Sequence, residues 1–150
     1  AAKGHARLVG LLLDARAEVL AKDAEGVQAL HWAAAHGLPE VVSLLLARRA
    51  AVDAREADGG QPLHWAAAND QLDIAALLLD HGADVHAASS SGAQPAHWAA
   101  AHGHLPMLQH LARLGADLGA RTLSGARPEH FATAHGHGPA AELLREWRIG

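Results

Sequence analysis

The chain has 150 residues, is 50% hydrophobic and 19% charged, and carries a formal net charge of −4, the balance of a globular domain. Aromatic residues make up 3% while alanine supplies roughly a quarter of the chain, a composition suited to closely packed helices with small and aliphatic cores. No apolar run approaches the roughly 18 residues of a membrane-spanning helix, zero cysteines exclude disulfides and thiolate metal sites, and two lysines and ten arginines without a basic stripe argue against nucleic acid as a partner.

The opening 22 residues, AAKGHARLVGLLLDARAEVLAK, read as the close of one helix, a Leu-rich helix and a turn. From Asp23 a period of 33 residues governs the chain. Gly26, Gly59, Gly92 and Gly125 align, followed five residues later by His31, His64, His97 and His130, each preceding an aromatic ring: Trp32, Trp65, Trp98 and Phe131. The blocks QALHWAAAHG, QPLHWAAAND, QPAHWAAAHG and RPEHFATAHG predict short first helices. The segments beginning at Val41, Ile74, Met107 and Ala140 have the three-and-four spacing of amphipathic second helices. Gly82 and Gly115 suit the left-handed residue that ends a helix. Pro39, Pro106 and Pro139 fall in the first turns of second helices, where their missing N–H costs nothing.

These residues resemble the ankyrin repeat: a turn, a TPLHxAA block, a glycine-closed first helix, a Leu-rich second helix and a GADVNA turn. The resemblance covers essentially the whole chain and implies an all-α solenoid of stacked helix-turn-helix units with projecting β-turn or hairpin loops. It implies one domain over residues 1–150, with a partial repeat at 1–22, full repeats at 23–55, 56–88 and 89–121, and a carboxy-terminal cap at 122–150. The absent opening half of the first repeat, and the lack of Met at residue 1, suggest a fragment or part of a longer chain or assembly. Glu129 in place of an apolar residue fits an outer, polar end face.

The 13 histidines raise the question of a metal site. The motif histidines are expected to be buried and to hydrogen-bond neighbouring repeats, as the resemblance implies. His5, His104 and His137 follow helix-closing glycines and read as local structural residues. The His-Gly-His pairs at 102–104 and 135–137 lack the convergent partners that zinc needs, so no metal or cofactor is expected. The aromatic series, surrounded by alanines, is expected to pack in the core. Gln28, Gln61, Gln94 and Arg127 replace a capping threonine and cannot reproduce its short hydroxyl cap, while Asp70 replaces a helix-closing glycine and must take a left-handed conformation. No nucleophile elbow, Walker loop or dinucleotide fingerprint is present, so no enzymatic activity is expected.

The resemblance implies a non-enzymatic module that binds a protein through its turn tips and first-helix surface. The residues expected to bind are Asp23, Glu25, Val27, His36, Arg48, Glu56, Asp58, Asn69, His81, Ser90, Ser91, His102, Leu114, Leu123, His135 and Trp147. The first two tips are acidic and the next two neutral, which points to a partner with a basic segment. A histidine-based sensor of metal or pH is the alternative. An intracellular setting, cytoplasmic or nuclear, is expected, with no insertion into a membrane.

Overall fold

A computed structural model describes residues 19–150, which form eight helices and, among the described residues, no strand. The helices come in pairs: α1 (Ala29–Ala35) with α2 (Pro39–Ala47), α3 (Pro62–Ala68) with α4 (Leu72–Asp80), α5 (Pro95–Ala101) with α6 (Leu105–Arg113), and α7 (Pro128–Ala134) with α8 (Gly138–Ile149). Residues 1–18, with His5 and most of the expected partial repeat, lie outside the described residues.

Each first helix is seven residues long and starts from an extended residue, Gln28, Gln61, Gln94 or Arg127. The four starts share one geometry despite the missing threonine. The reason is the motif histidine, whose Nδ1 accepts the N–H of the residue three before it, at 3.1 Å for His31 and His64, 3.0 Å for His97 and 2.9 Å for His130. So short a helix would not persist alone. It is held by burial on several sides at once, through Leu30, Ala33 and Ala34 in α1 and their counterparts Leu63, Ala66 and Ala67 in α3.

The second helices bury one stripe: Val41, Val42 and Leu45 in α2, Ile74, Ala75 and Leu78 in α4, Met107, Leu108 and Leu111 in α6, and Ala140, Ala141 and Leu144 in α8. Three of them end alike. Ala50, Ala83 and Ala116 donate back to Leu45, Leu78 and Leu111 across a left-handed residue. That residue is glycine at 82 and 115 but Arg49 in the first of the series, with φ of 66°. First helices touch their neighbours more extensively than second helices do, because alanine lets their backbones approach. The first-helix layer is therefore the inner, concave one.

Candidate functional site

The projecting turns are joined into a ribbon. Within each, the first residue pairs with the fifth, as Asp23 with Val27 and Glu56 with Gly60, and between repeats Ala57 N–H donates to Glu25, Ser90 to Asp58 and Leu123 to Ser91, at 2.7 to 2.9 Å. Side chains brace the turns as well. Asp23 Oδ1 accepts the N–H groups of Glu25 and Val27, Glu56 accepts those of Asp58 and Gly60, and Thr122 accepts that of Ala126. Asp23 and Glu56 thus shape their own hairpins, while Glu25 and Asp58 are exposed without such a brace. Val27 is buried and withdrawn from the tip surface. Ser90, Ser91 and Leu123 are exposed, Leu123 at 83%.

A row of polar residues caps the far ends of the first helices. His36, His102 and His135 direct Nδ1 to the carbonyls of Trp32, Trp98 and Phe131 at 2.9 to 3.0 Å, and Asn69 donates to Trp65 at 2.8 Å. Because a carbonyl only accepts, each of these rings carries its proton on Nδ1 and presents the Nε2 lone pair outward. His102 and His104 stack nearly parallel, 9° between planes, so their lone pairs do not converge on a common point. Among the described residues no group of three histidine, aspartate or glutamate side chains is arranged to hold a metal ion. The role of His104 is structural, since its Nε2 reaches the carbonyl of Ala68 in the preceding repeat at 2.9 Å, as Gln71 reaches Ala35 at 3.3 Å.

The aromatic series departs from the core position expected of it. Trp32 is 54% exposed and Trp65, Trp98 and Phe131 are only half-buried. A ring at this register packs edgewise with the motif histidine of the repeat before: Trp65 with His31, Trp98 with His64, Phe131 with His97, at 5.2 to 5.7 Å between centroids. Trp32 instead stacks on His36 and meets Trp65 at 6.3 Å. Trp98 also leans on Gly60, where an added Cβ would lie 3.0 Å from the ring, so the aromatic row adjoins the hairpins.

Arg48, His81, Leu114 and Trp147 share one register at the ends of the second helices. They belong to the outer layer and do not join the first-helix row. His81 Nδ1 donates to Leu77 at 2.9 Å, and Leu114 and Trp147 are 42% and 49% exposed.

The motif histidines act between repeats, as expected, in three of four cases. With Nδ1 accepting an N–H, Nε2 must carry the proton, which His31 donates to Ala54 and Gly60, His64 to Ala93 and His97 to Ala126, at 3.0 to 3.3 Å. Burial strips water from the imidazolium form and pushes all three below the usual histidine pKa, His64 to about 4. His130 departs from the expectation of burial: its side chain is 56% exposed, and its Nε2 faces Glu129 Oε1 at 3.8 Å instead of a hairpin carbonyl. Glu129 departs in the opposite sense. Expected on an outer polar face, it is 8% exposed, because α8 folds over it and brings Arg145 and Arg148 to join Arg127 around its carboxylate.

Among the described residues no helix is long and apolar enough to cross a membrane. No curated protein matches the sequence. Family models described as ankyrin repeats match residues 1–89, with three copies, and residues 96–145. The repeats with their capping histidines, joined hairpins and helix pairs are those of this family, and the chain belongs to the ankyrin repeats, which are generally non-enzymatic modules of protein–protein interaction.

Proposed function

We propose that this chain, acting as one domain of stacked repeats, binds a protein whose basic segment crosses the first two hairpin tips and continues over the neutral tips and the aromatic row. The observation that carries the reading is the tip ribbon. Its backbone is tied by turn and inter-repeat hydrogen bonds, yet its outward side chains change from Glu25 and Asp58 to Ser90, Ser91 and Leu123. Rigid presentation reduces the ordering cost of binding, and the two carboxylates raise the encounter rate of a cationic partner. Affinity comes from the groove, where Trp32 is exposed beside His36 and where Asn69, His102 and His135 add one polar group per repeat. Aromatic anchors dominate most interfaces.

The test is charge reversal of Glu25 and Asp58 together, sparing Glu56 because it braces its own hairpin. Association with the native partner should slow about tenfold at low salt and lose most of its salt dependence. An unchanged association rate would place the interface on the outer helices. A pH-responsive role is the second reading, favoured by the three motif histidines whose neutral tautomer is built into the helix starts.

A further inference from the structure

The junction between the hairpins at 56–60 and 89–93 shows how one turn seats the next. Ser90 N–H donates to the Asp58 carbonyl at 2.9 Å, Arg55 Nη1 to the Ala88 carbonyl at 2.8 Å, and His64 Nε2 to the Ala93 carbonyl at 3.0 Å. A Cβ added at Gly59 would lie 2.7 Å from Ser90 N, so the second turn rests directly on that glycine. One acceptor, two donors and a glycine floor thus hold a single stretch, residues 88–94.

Two periods further on, Ser124, Arg121, His130 and Gly125 stand where Asp58, Arg55, His64 and Gly59 stand. Among the described residues no backbone N–H reaches the Ser124 carbonyl. Arg121 is exposed and bonds its own turn, at Gly125 O and 3.3 Å, as Arg55 bonds Gly59 at 3.4 Å, without the second bond that Arg55 makes. His130 Nε2 faces Glu129 Oε1 at 3.8 Å, and a Cβ added at Gly125 would meet nothing within 4 Å. Beside His130, a cleft of about 370 Å³ lined by Glu129, His130, Thr133, Ala134 and Arg145 has room for the chain that leaves such a turn. What this edge matches is backbone rather than charge, since both donors meet carbonyls at the junction that it copies.

We propose that this edge binds a reverse turn of a partner polypeptide, which lengthens the hairpin ribbon by one unit as an added strand lengthens a sheet. The turn has glycine at its fourth residue, the position held left-handed at Gly26, Gly59, Gly92 and Gly125 with φ of 78 to 82°. Its first residue is an acid or a hydroxyl, because Asp23, Glu56 and Thr122 brace their turns from there. Continuity with the ribbon selects a turn over a helix. The contact lies apart from the acidic tips and asks for no charge, so it adds to the tip reading without depending on it.

The full chain is titrated by NMR with a backbone-cyclised peptide of residues 88–94, which carries the three bonding groups of the junction and no charged side chain. Signals of Ser124, Gly125 and the His130 ring should move together and saturate. A peptide with an ester oxygen in place of the Ser90 N–H should bind about tenfold more weakly. Arg121→Met, a change at an exposed side chain, should weaken the parent peptide severalfold. Charge reversal of Glu25 and Asp58 should leave its affinity unchanged, although the same reversal decides the tip reading, so the two can fail separately. Ester binding as tight as amide binding, full affinity in Arg121→Met, or no movement at Ser124 and His130 would each overturn the proposal. So would movement of the same signals with protein concentration alone, which would assign the edge to a second copy of the chain.

Discussion

His64 and His130 stand at the same position of their repeats and make the same contact at the helix start, yet one is fully buried and the other half exposed. His64 carries a second hydrogen bond to Ala93 and supports the edge of Trp98, both supplied by the following repeat. His130 has neither of these; its Nε2 faces Glu129 Oε1 at 3.8 Å. The motif histidine therefore does two separable jobs. Starting the helix is local to its own repeat, whereas coupling repeats depends on what is stacked against it, as expected for an architecture in which each unit touches only its neighbours.

Alanine in place of each histidine separates the two jobs. His64→Ala leaves the Gln61 N–H and the Ala93 carbonyl without their partner and opens a cavity beneath Trp98, so it should cost about 4 kcal/mol. His130→Ala removes the helix-start contact and the half-exposed approach to Glu129, and should cost about 1 kcal/mol or less. Urea denaturation followed by circular dichroism reads both. Equal losses would show that the inter-repeat bond contributes nothing beyond the helix start.

The same distinction explains how much of the molecule is legible in its sequence. The period and the helix pairs follow from residues that recur every 33 positions, because a recurring residue meets a recurring environment, whereas the inter-repeat role of His31, His64 and His97 is what the resemblance to the ankyrin repeat implies. Asp70 is legible too: only one conformation suits that register, and φ is 55° there as it is 65° at Gly37 and 71° at Gly103. What escapes the sequence depends on direction or on chain segments that break the pattern. The alanine neighbours of Trp32 point to the core, although the helix turns the ring to the groove. Val27 falls within a tip by its position, and the tip tucks it inward. Asp23 and Glu56 count as binding charge in the sequence, whereas their oxygens brace the turns. Arg145 and Arg148 carry no signal, since α8 extends past the length of the other second helices and nothing periodic announces its contacts.

Acid acts on the coupled histidines. The folded pKa of His31, His64 and His97 lies below the unfolded value near 6.5, so below that pH the unfolded chain binds more protons than the folded one. Stability is then complete above about pH 6.5, declines as the pH falls toward the folded values, and levels off below them. For His64, with a folded value of about 4, the loss by that pH is on the order of 3 kcal/mol. Melting temperature should fall steadily between pH 7 and 4.5, and His64→Ala should flatten part of the slope. A melting temperature constant over that range would mean that the rings titrate as freely folded as unfolded.

A smaller change is expected one residue before the motif, where Leu63 and Glu129 occupy equivalent positions. Replacing Glu129 by leucine restores the side chain that the second described repeat buries at this register and regains roughly 2 kcal/mol of apolar burial. Against this stands the loss of the bonds from Arg127 and Arg148. Arg145 and Arg148 are about half exposed and recover hydration when released, whereas Arg127 is less open and gives back part of the gain. Buried ion pairs seldom exceed a well-packed apolar replacement in stability, so Glu129→Leu should raise the stability by about 1 kcal/mol. It should also abolish the ordered arrangement of the arginines, read as greater freedom of their side-chain N–H signals. A loss of more than about 2 kcal/mol would show instead that the cluster is what holds α8 onto the last first helix.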